Sequence, residues 1–160
     1  MEGRFSWTFQ PAPRGAKIPS QELDRRQKAL TAAPLFSDLS KRHLRSIAGV
    51  TSITSFREGA TILKEGSSGS SFFVILEGAG KVVRGTRTIR RVGPGDFFGE
   101  ISLLDPGPRT ASVVAVGPTL CLNLAGGDFR DMLAQEPTLA LKVVRVLARW
   151  LREAQSPVAG

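Results

Sequence analysis

The segment from Asp96 to Ser112 concentrates the residues of this 160-residue chain that are suited to holding a small anion. Gly99 allows a tight turn, and backbone N–H groups at the start of a short helix after it would face a phosphate. Arg109 offers a planar fork of donors to phosphate oxygens. Glu100 only accepts hydrogen bonds when ionised, which suits a sugar hydroxyl. One phosphate and one hydroxylated sugar in a compact ligand indicate a nucleotide.

Each of these residues also has a purely structural interpretation. Gly99 would make a tight turn in any chain, and Glu100 would complement the N-terminus of the short helix that follows it. Arg109 would be a surface residue after the loop Pro106-Gly107-Pro108. Taken together, at this spacing and between segments that favour strands, the three residues favour the ligand site.

The same segment resembles the phosphate-binding cassette of cyclic-nucleotide-binding domains. The cassette pattern runs from Phe-Gly-Glu through an apolar and small run and a short loop to Arg and a small residue. In this chain Phe98-Gly99-Glu100 begins it and Arg109-Thr110-Ala111 ends it. The resemblance covers about residues 28–155 and includes the helical lead-in around Pro34-Leu35-Phe36 and the early strand Phe73–Gly78.

The resemblance implies a role for each cassette residue. Glu100 would bind the ribose 2′-hydroxyl, and Arg109 would bind the cyclic phosphate. Val82 would line the side of the base, although a core position suits a valine equally well. Backbone groups would complete the phosphate cradle around Gly99, Ile101, Ser102 and Thr110. The expected ligand is cyclic AMP, with cyclic GMP as a possibility because a Thr after the arginine is compatible with either nucleotide.

Catalytic and metal chemistry have little support in the sequence. His43 is the only histidine, and its neighbours Lys41, Arg42 and Arg45 predict a solvated side chain. Cys121 is the only cysteine and is expected to be a small buried side chain in an apolar strand. One His and one Cys do not support a zinc site of the usual N/S type. We therefore expect no enzyme activity, no metal and no resident cofactor.

Composition and charge set further limits. Hydrophobic residues make up 41% of the chain, as in ordinary globular proteins, and 17 Gly and 10 Pro imply many turns. The net charge of +8 comes largely from the two ends. A solvated tail and helix face explain that charge, with contact to nucleic acid or an anionic surface as the alternative. Without a membrane span or a secretory signal in the sequence, we expect a cytoplasmic protein.

Short alternating segments with glycine turns between them predict a mainly β fold. Leu120, Leu122 and Leu124 share one face of the last candidate strand, and Cys121 and Asn123 share the other. The candidate strands are Thr51–Phe56, Thr61–Lys64, Ser71–Leu76, Lys81–Arg84, Thr88–Val92, Ala111–Val116 and Thr119–Leu124. The family resemblance narrows this pattern to an eight-stranded antiparallel β-roll, similar to a jelly roll, flanked by N- and C-terminal α-helices.

The predicted organisation is a mobile basic arm over residues 1–20 and a cyclic-nucleotide-binding domain over 21–156. The domain divides into a helical lead-in over 21–49, the β-roll over 50–125 and C-terminal helices over 126–155. Helix starts are predicted from capping and first-turn residues: Ser20 (for a helix to about Ala33), Ser37 or Asp38, Asp128, and Pro137.

The last predicted helix carries an apolar stripe and a basic stripe. The apolar stripe would pack on the roll, close over a ligand or pair with a second subunit, so a protein partner or self-association through this helix is possible. The residues after Ala154 leave no room for a DNA-binding helix-turn-helix, and no such domain is expected. The favoured function is a regulatory sensor of cyclic AMP. A scaffold that uses the roll and last helix without a nucleotide, or a sensor of another small anion, are the alternatives.

Overall fold

The computed structural model describes residues 17–155, and the predicted arm over residues 1–20 falls mainly on residues 1–16, outside the described part. The described part begins with three helices and ends with two, and strands lie between them. The helices are α1 (Ser20–Leu30), α2 (Pro34–Ser37), α3 (Lys41–Ala48), α4 (Gly126–Gln135) and α5 (Pro137–Gln155). A single 3-10 turn, Ile101–Leu103, interrupts the strands.

Ten strands follow α3 in the described residues. They are β1 (Ser52–Phe56), β2 (Thr61–Leu63), β3 (Ser68–Gly69), β4 (Phe72–Glu77), β5 (Gly80–Arg84), β6 (Arg87–Val92), β7 (Phe97–Phe98), β8 (Gly107–Pro108), β9 (Ser112–Ala115) and β10 (Thr119–Leu124). Two four-stranded antiparallel sheets, in the orders β1-β10-β4-β7 and β2-β9-β5-β6, form the roll, and β3 pairs with β8 beside them. The fold is the predicted antiparallel β-roll with helices at both ends.

Strand β4 lies between two apolar clusters because its residues alternate between two buried faces. Phe72 and Val74 belong to the cluster beneath the helices, where the Phe36 ring meets Phe72 edge-on at 5.4 Å between centroids. Phe73 and Ile75 belong to the smaller cluster inside the roll. The first cluster attaches the helices to one sheet, and the second joins the two sheets.

The seven predicted strands are present with ends shifted by a residue at most in either direction. The predicted alternation in β10 is confirmed for three residues, since Leu122 and Leu124 lie in the cluster beneath the helices and Cys121 lies inside the roll. Leu120 belongs to neither cluster, because the pairing with β4 shifts register between Leu120 and Cys121. The Cys121 side chain is fully buried, and this burial raises the pKa of its thiol to about 12. It is therefore a core residue, as predicted.

Two predicted helix bounds near the N-terminus are wrong. Helix α1 ends at Leu30 rather than about Ala33, because the N–H groups of residues 31–33 bond three residues back and tighten the chain into a turn. The helix predicted to start at Ser37 or Asp38 starts at Lys41. Ser40 is its N-cap, and the Ser40 hydroxyl accepts from the His43 N–H at 3.2 Å.

The other helix starts are closer to prediction. Ser20 is the first residue of α1 rather than its cap, since Pro19 takes the extended N-cap position. Helix α4 begins at Gly126, two residues before the predicted cap Asp128, which lies in the first turn. Helix α5 begins at Pro137 as predicted. Within residues 17–155 no helix combines the length and apolar character that crossing a bilayer requires.

Candidate functional site

Arg109, at the end of the predicted cassette, is anchored by hydrogen bonds to two other residues. Its side chain is 7% exposed, although it follows the short surface strand β8. Its Nη1 donates to the Ser102 hydroxyl at 2.9 Å, and its Nη2 donates to the backbone carbonyl of Ser71 at 2.8 Å. The Nε group is buried and has no hydrogen-bond partner. Two anchors thus orient the fork while part of its donor capacity is unused.

The charge of Arg109 is not paired with a carboxylate in the part of the chain that the structure describes. Four ion pairs form among residues 17–155, and none of them includes Arg109. Burial lowers the pKa of the Arg109 guanidinium, because desolvation disfavours its charged form. A buried cation without a counter-ion is costly, and a bound anion would offset that cost. The site is therefore electrostatically prepared for an anionic ligand.

Gly99 is required by the geometry of this anchor. Its φ of +89° lies in the left-handed region, where side chains are strained. A Cβ at this position would lie 2.5 Å from the Ser71 carbonyl oxygen and 2.9 Å from Nη1 of Arg109. The glycine therefore serves both the turn and the close approach of the arginine to Ser71.

A cavity of about 370 Å³ opens beside Arg109. This volume is within the range of small-molecule sites, roughly 300–1,000 Å³. Six of the seven predicted site residues line it: Val82, Gly99, Ile101, Ser102, Arg109 and Thr110. Apolar side chains also line it, among them Leu63, Phe98 and Val113. The cavity thus combines the Arg109 cation with an apolar wall, which suits a phosphate joined to a flat base.

Glu100 is the predicted site residue that does not line the cavity. Its carboxylate is partly buried, and Oε2 has no hydrogen-bond partner. Burial raises the pKa of Glu100, and hydrogen bonding with the backbone of Leu35, in α2, opposes that shift. The carboxylate thus faces the helical lead-in in this structure. Contact with a ribose would require it to turn towards the cavity.

Three polar or charged residues at the site were not predicted from the sequence. Ser71 contributes only its backbone carbonyl, which any residue carries, so no sequence signal exists for it. Arg90 lines the cavity because it lies directly opposite Val82 on the neighbouring strand. Asp105 lines the cavity from the loop after the 3-10 turn. Arg90 could be predicted once the register of β5 and β6 was known, and Asp105 once the path of the cassette loop was known.

A second cavity of about 440 Å³ lies on the other side of Arg109, where Lys64, Ser67 and Ser71 contribute to its lining. The arginine therefore forms a shared wall between two openings. The predicted site residues converge on the first of these cavities, where the cassette residues meet Val82, which does not line the second.

His43 is half-buried rather than fully solvated as predicted. Its Nε2 lies 3.4 Å from the Thr138 hydroxyl in the first turn of α5, and its Nδ1 has no partner. It thus packs between α3 and α5, away from the cavity. Over residues 17–155, no three His, Cys, Asp or Glu side chains are grouped as a metal site would require.

A comparison with protein families matches residues 53–136 to the family described as "Cyclic nucleotide-binding domain". The chain belongs to this family. The matched residues run from the first strand through the end of α4 and contain the whole cassette. The family match therefore includes the same cassette residues that surround the cavity beside Arg109.

Individual members of the cyclic nucleotide-binding domain family align along most of the chain. The "Cyclic AMP receptor protein" of Thermus thermophilus is 32% identical over 130 residues, which cover 78% of this chain and 60% of that protein. A Drosophila melanogaster "cGMP-dependent protein kinase, isozyme 1" is 31% identical over 121 residues, covering 71% of this chain and 16% of the kinase. This chain thus spans about 60% of the bacterial relative's length.

A solved structure supports the same fold assignment. The N-terminal domain of a transcriptional regulator from Streptomyces coelicolor A3(2) superposes with a TM-score of 0.75 and 31% sequence identity. The alignment covers 82% of this chain and 96% of that one. The β-roll with its flanking helices is therefore the fold of this family.

Proposed function

We propose that this domain binds a purine 3′,5′-cyclic nucleotide, with cyclic AMP as the first choice, and acts as a non-catalytic sensor. The observation that carries the proposal is the buried guanidinium of Arg109, which is oriented by two hydrogen bonds and forms no ion pair within residues 17–155. A cyclic phosphate would accept from the remaining donor capacity of the fork and neutralise the charge. Backbone groups around Gly99 and Ser102 would complete the cradle.

The remainder of the cavity suits the sugar and base. A nucleotide whose phosphate lies at Arg109 would place its base against the apolar wall, where Val82 and Phe98 lie. Glu100 would accept a hydrogen bond from the ribose 2′-hydroxyl after turning away from Leu35. Both groups of contacts would be made at once by a compact cyclic nucleotide.

Cyclic AMP is preferred over cyclic GMP on the relatives' names alone. The Thermus protein named for cyclic AMP aligns over more of this chain than the Drosophila kinase named for cyclic GMP. The Thr110 hydroxyl, at the edge of the cavity, is compatible with either purine. We therefore propose cyclic AMP as the ligand and cyclic GMP as the nucleotide to test against it.

We propose that ligand binding biases the position of α5. The cassette is linked to the C-terminal helices, since Arg130 of α4 donates to the Leu103 carbonyl at 3.0 Å. Leu103 is fully buried in the same apolar cluster as Leu139 and Val143 of α5. A ligand that draws the cassette inward would therefore also displace α5, because the two are packed together through Leu103. It shifts the helix only to the extent that it binds one arrangement more tightly.

A second, exposed face of α5 supports the proposal that ligand binding is passed on through contact with another protein chain. Leu141, Val144 and Leu151 are 51%, 58% and 60% exposed. With the exposed Ala148 they follow the alternating three- and four-residue spacing of a helix-pairing seam. We propose self-association through this seam. Sedimentation velocity of the parent and of Leu151→Glu, with and without cyclic AMP, tests it, and a monomeric parent under both conditions would contradict it.

The experiment for the ligand itself is a thermal-shift titration with cyclic AMP, cyclic GMP and linear AMP. A ligand that binds only the folded state raises stability by about 2.7 kcal/mol at a hundredfold excess over Kd. We expect a clear rise of Tm with a cyclic nucleotide and a much smaller rise with AMP. A Tm that does not change with either cyclic nucleotide at millimolar concentration would favour a scaffold function instead.

A further inference from the structure

The hairpin formed by β5 and β6 carries an unusual concentration of positive charge. Five of its residues are cationic: Lys81, Arg84, Arg87, Arg90 and Arg91. None of these five side chains takes part in any of the four ion pairs formed within residues 17–155. The nearby carboxylate of Glu65 accepts from the Gly85 N–H at the hairpin turn, at 2.8 Å, and makes no ion pair with them. The hairpin is thus an uncompensated basic element.

The cations of the hairpin face one another across its two strands. Lys81 lies directly opposite Arg91, and Arg84 lies directly opposite Arg87. Like charges in directly opposite positions of an antiparallel pair destabilise the hairpin. Charged side chains on β6 alone would be enough to prevent this edge strand from pairing with another molecule and aggregating. The like charges on β5 destabilise the hairpin and do not add to that protection. The arrangement therefore indicates an anionic partner.

Strand β6 is the open edge of its sheet. The sheet order is β2-β9-β5-β6, so β6 pairs with β5 alone and presents its other side to solvent. Every residue of β6 except Val92 is exposed, and Ile89, at the irregularity in the ladder, is 46% exposed. An open edge with free backbone groups is a site where an extended segment adds as a further strand.

The cations lie on both faces of the hairpin. Val82 and Arg90 line the nucleotide cavity, so Lys81 and Arg91, one position along each strand, lie on the outer face. Arg84 lies on the cavity side, where its Nε donates to the Thr110 carbonyl at 3.2 Å. A phosphodiester backbone docked on one face would meet only some of these cations. An extended peptide at the β6 edge has side chains on both faces and would meet Arg91 on the outer face and Arg87, which lies opposite Arg84, on the other.

We propose that the β6 edge binds an extended acidic segment of a partner protein by strand addition. Main-chain hydrogen bonds to the free edge provide the alignment, and carboxylates on both faces of the added strand pair with the cations. Ile89 provides an apolar contact at the centre of the strand. Arg87, Ile89 and Arg91 do not line the nucleotide cavity, so the proposed contacts at these three residues lie outside it, although Arg90 of the same strand lines it.

The test uses fluorescence anisotropy with a labelled peptide in which pairs of glutamates alternate with pairs of valines, so that each face of the extended strand carries carboxylates. The variant Arg87→Glu/Arg91→Glu changes the edge, and Arg145→Glu/Arg152→Glu makes the same change of charge on the exposed face of α5 as a matched control. Circular dichroism melting confirms that both variants fold. We expect the Kd of the peptide to rise about tenfold or more in the edge variant and to stay nearly unchanged in the control.

Two further probes separate the alternatives. A peptide with the same side chains but N-methylated backbone amides keeps the charge and loses the strand hydrogen bonds, so we expect it to bind much more weakly. Equal binding of the N-methylated peptide would contradict strand addition. Equal losses in the edge and control variants would contradict a defined site. A labelled random-sequence DNA duplex that binds in an edge-dependent way, while the acidic peptide does not, would assign the hairpin to nucleic acid and overturn the proposal.

Discussion

The Nη2 group of Arg109 donates to the backbone carbonyl of Ser71 at 2.8 Å. This bond connects the end of the cassette to the residue just before β4, a strand buried on both faces. The guanidinium is therefore positioned before any ligand arrives, and less conformational entropy is lost when a phosphate binds. The close approach depends on Gly99, which leaves room for it.

Substituting Gly99 by Ala should damage both stability and binding. Ala at a φ of +89° is strained, and its Cβ would lie 2.5 Å from the Ser71 carbonyl oxygen. Gly95 is a matched control because its φ is +88° but a Cβ there meets no atom within 4 Å. We expect Gly95→Ala to cost about 1–2 kcal/mol from backbone strain alone and Gly99→Ala to cost more. Chemical denaturation measures the difference, and equal costs would show that the contact with Ser71 is unimportant.

The burial of Glu100 predicts a pH-dependent effect of Glu100→Gln. The pKa of Glu100 is raised in the folded state, mainly by burial, so ionising it opposes folding. Its contribution to stability is therefore fully present below its ordinary pKa of 4.5 and is lost as the pH rises through the folded value. We expect Gln, which cannot ionise, to raise Tm at neutral pH and to give no such gain near pH 4.5. A gain of the same size at both pH values would contradict this origin.

The proposed ribose contact of Glu100 predicts a coupled loss. Replacing cyclic AMP by its 2′-deoxy form should weaken binding to the parent, because the carboxylate loses its donor. The penalty should shrink in Glu100→Ala, where the partner is already absent. Isothermal titration calorimetry of both nucleotides with both proteins completes the cycle. If the two proteins show the same penalty, Glu100 remains directed at Leu35 in the complex and does not read the sugar.

The Thr110 hydroxyl should discriminate between purines. A syn guanine presents its exocyclic amino group towards the phosphate end of the cavity, and adenine has no amino group at that position. We therefore expect Thr110→Ala to weaken cyclic GMP more than cyclic AMP, by about one hydrogen bond or roughly 0.5–1.5 kcal/mol. Competition against a fluorescent cyclic nucleotide measures both affinities. Equal losses would place the hydroxyl on the phosphate alone.

The sequence predicted those parts of the structure that require a particular type of residue at a particular position. Gly99, Ser102 and Arg109 converge because cassette spacing requires particular residues, and α5 begins at Pro137 because proline suits a first turn. The alternation in β10 follows from its two buried faces. In each case the surrounding structure requires a particular residue type or an alternation of residue types, and that requirement is visible in the local sequence.

The parts that were missed depend on backbone geometry or on pairing between distant strands. Ser71 acts through its carbonyl, and Arg90 enters the cavity through its register with Val82. Strands β3, β7 and β8 have two residues each, which is too short for an alternating pattern to appear. The end of α1 was misjudged because Ala32 and Ala33 favour a helix, whereas local three-residue hydrogen bonds close a turn there.

The most direct test of the proposed site is calorimetric titration of cyclic AMP into the parent, Arg109→Ala and Arg109→Lys. Arg145→Ala, which removes the same charge from the exposed face of α5, is the control. We expect both Arg109 variants to lose roughly 1.5–3 kcal/mol of binding free energy or more, because neither alanine nor a single ammonium reproduces the fork. The control should bind like the parent, and all four proteins should melt cooperatively. Unchanged affinity for cyclic AMP in either Arg109 variant would remove the guanidinium from the site and contradict the proposed function.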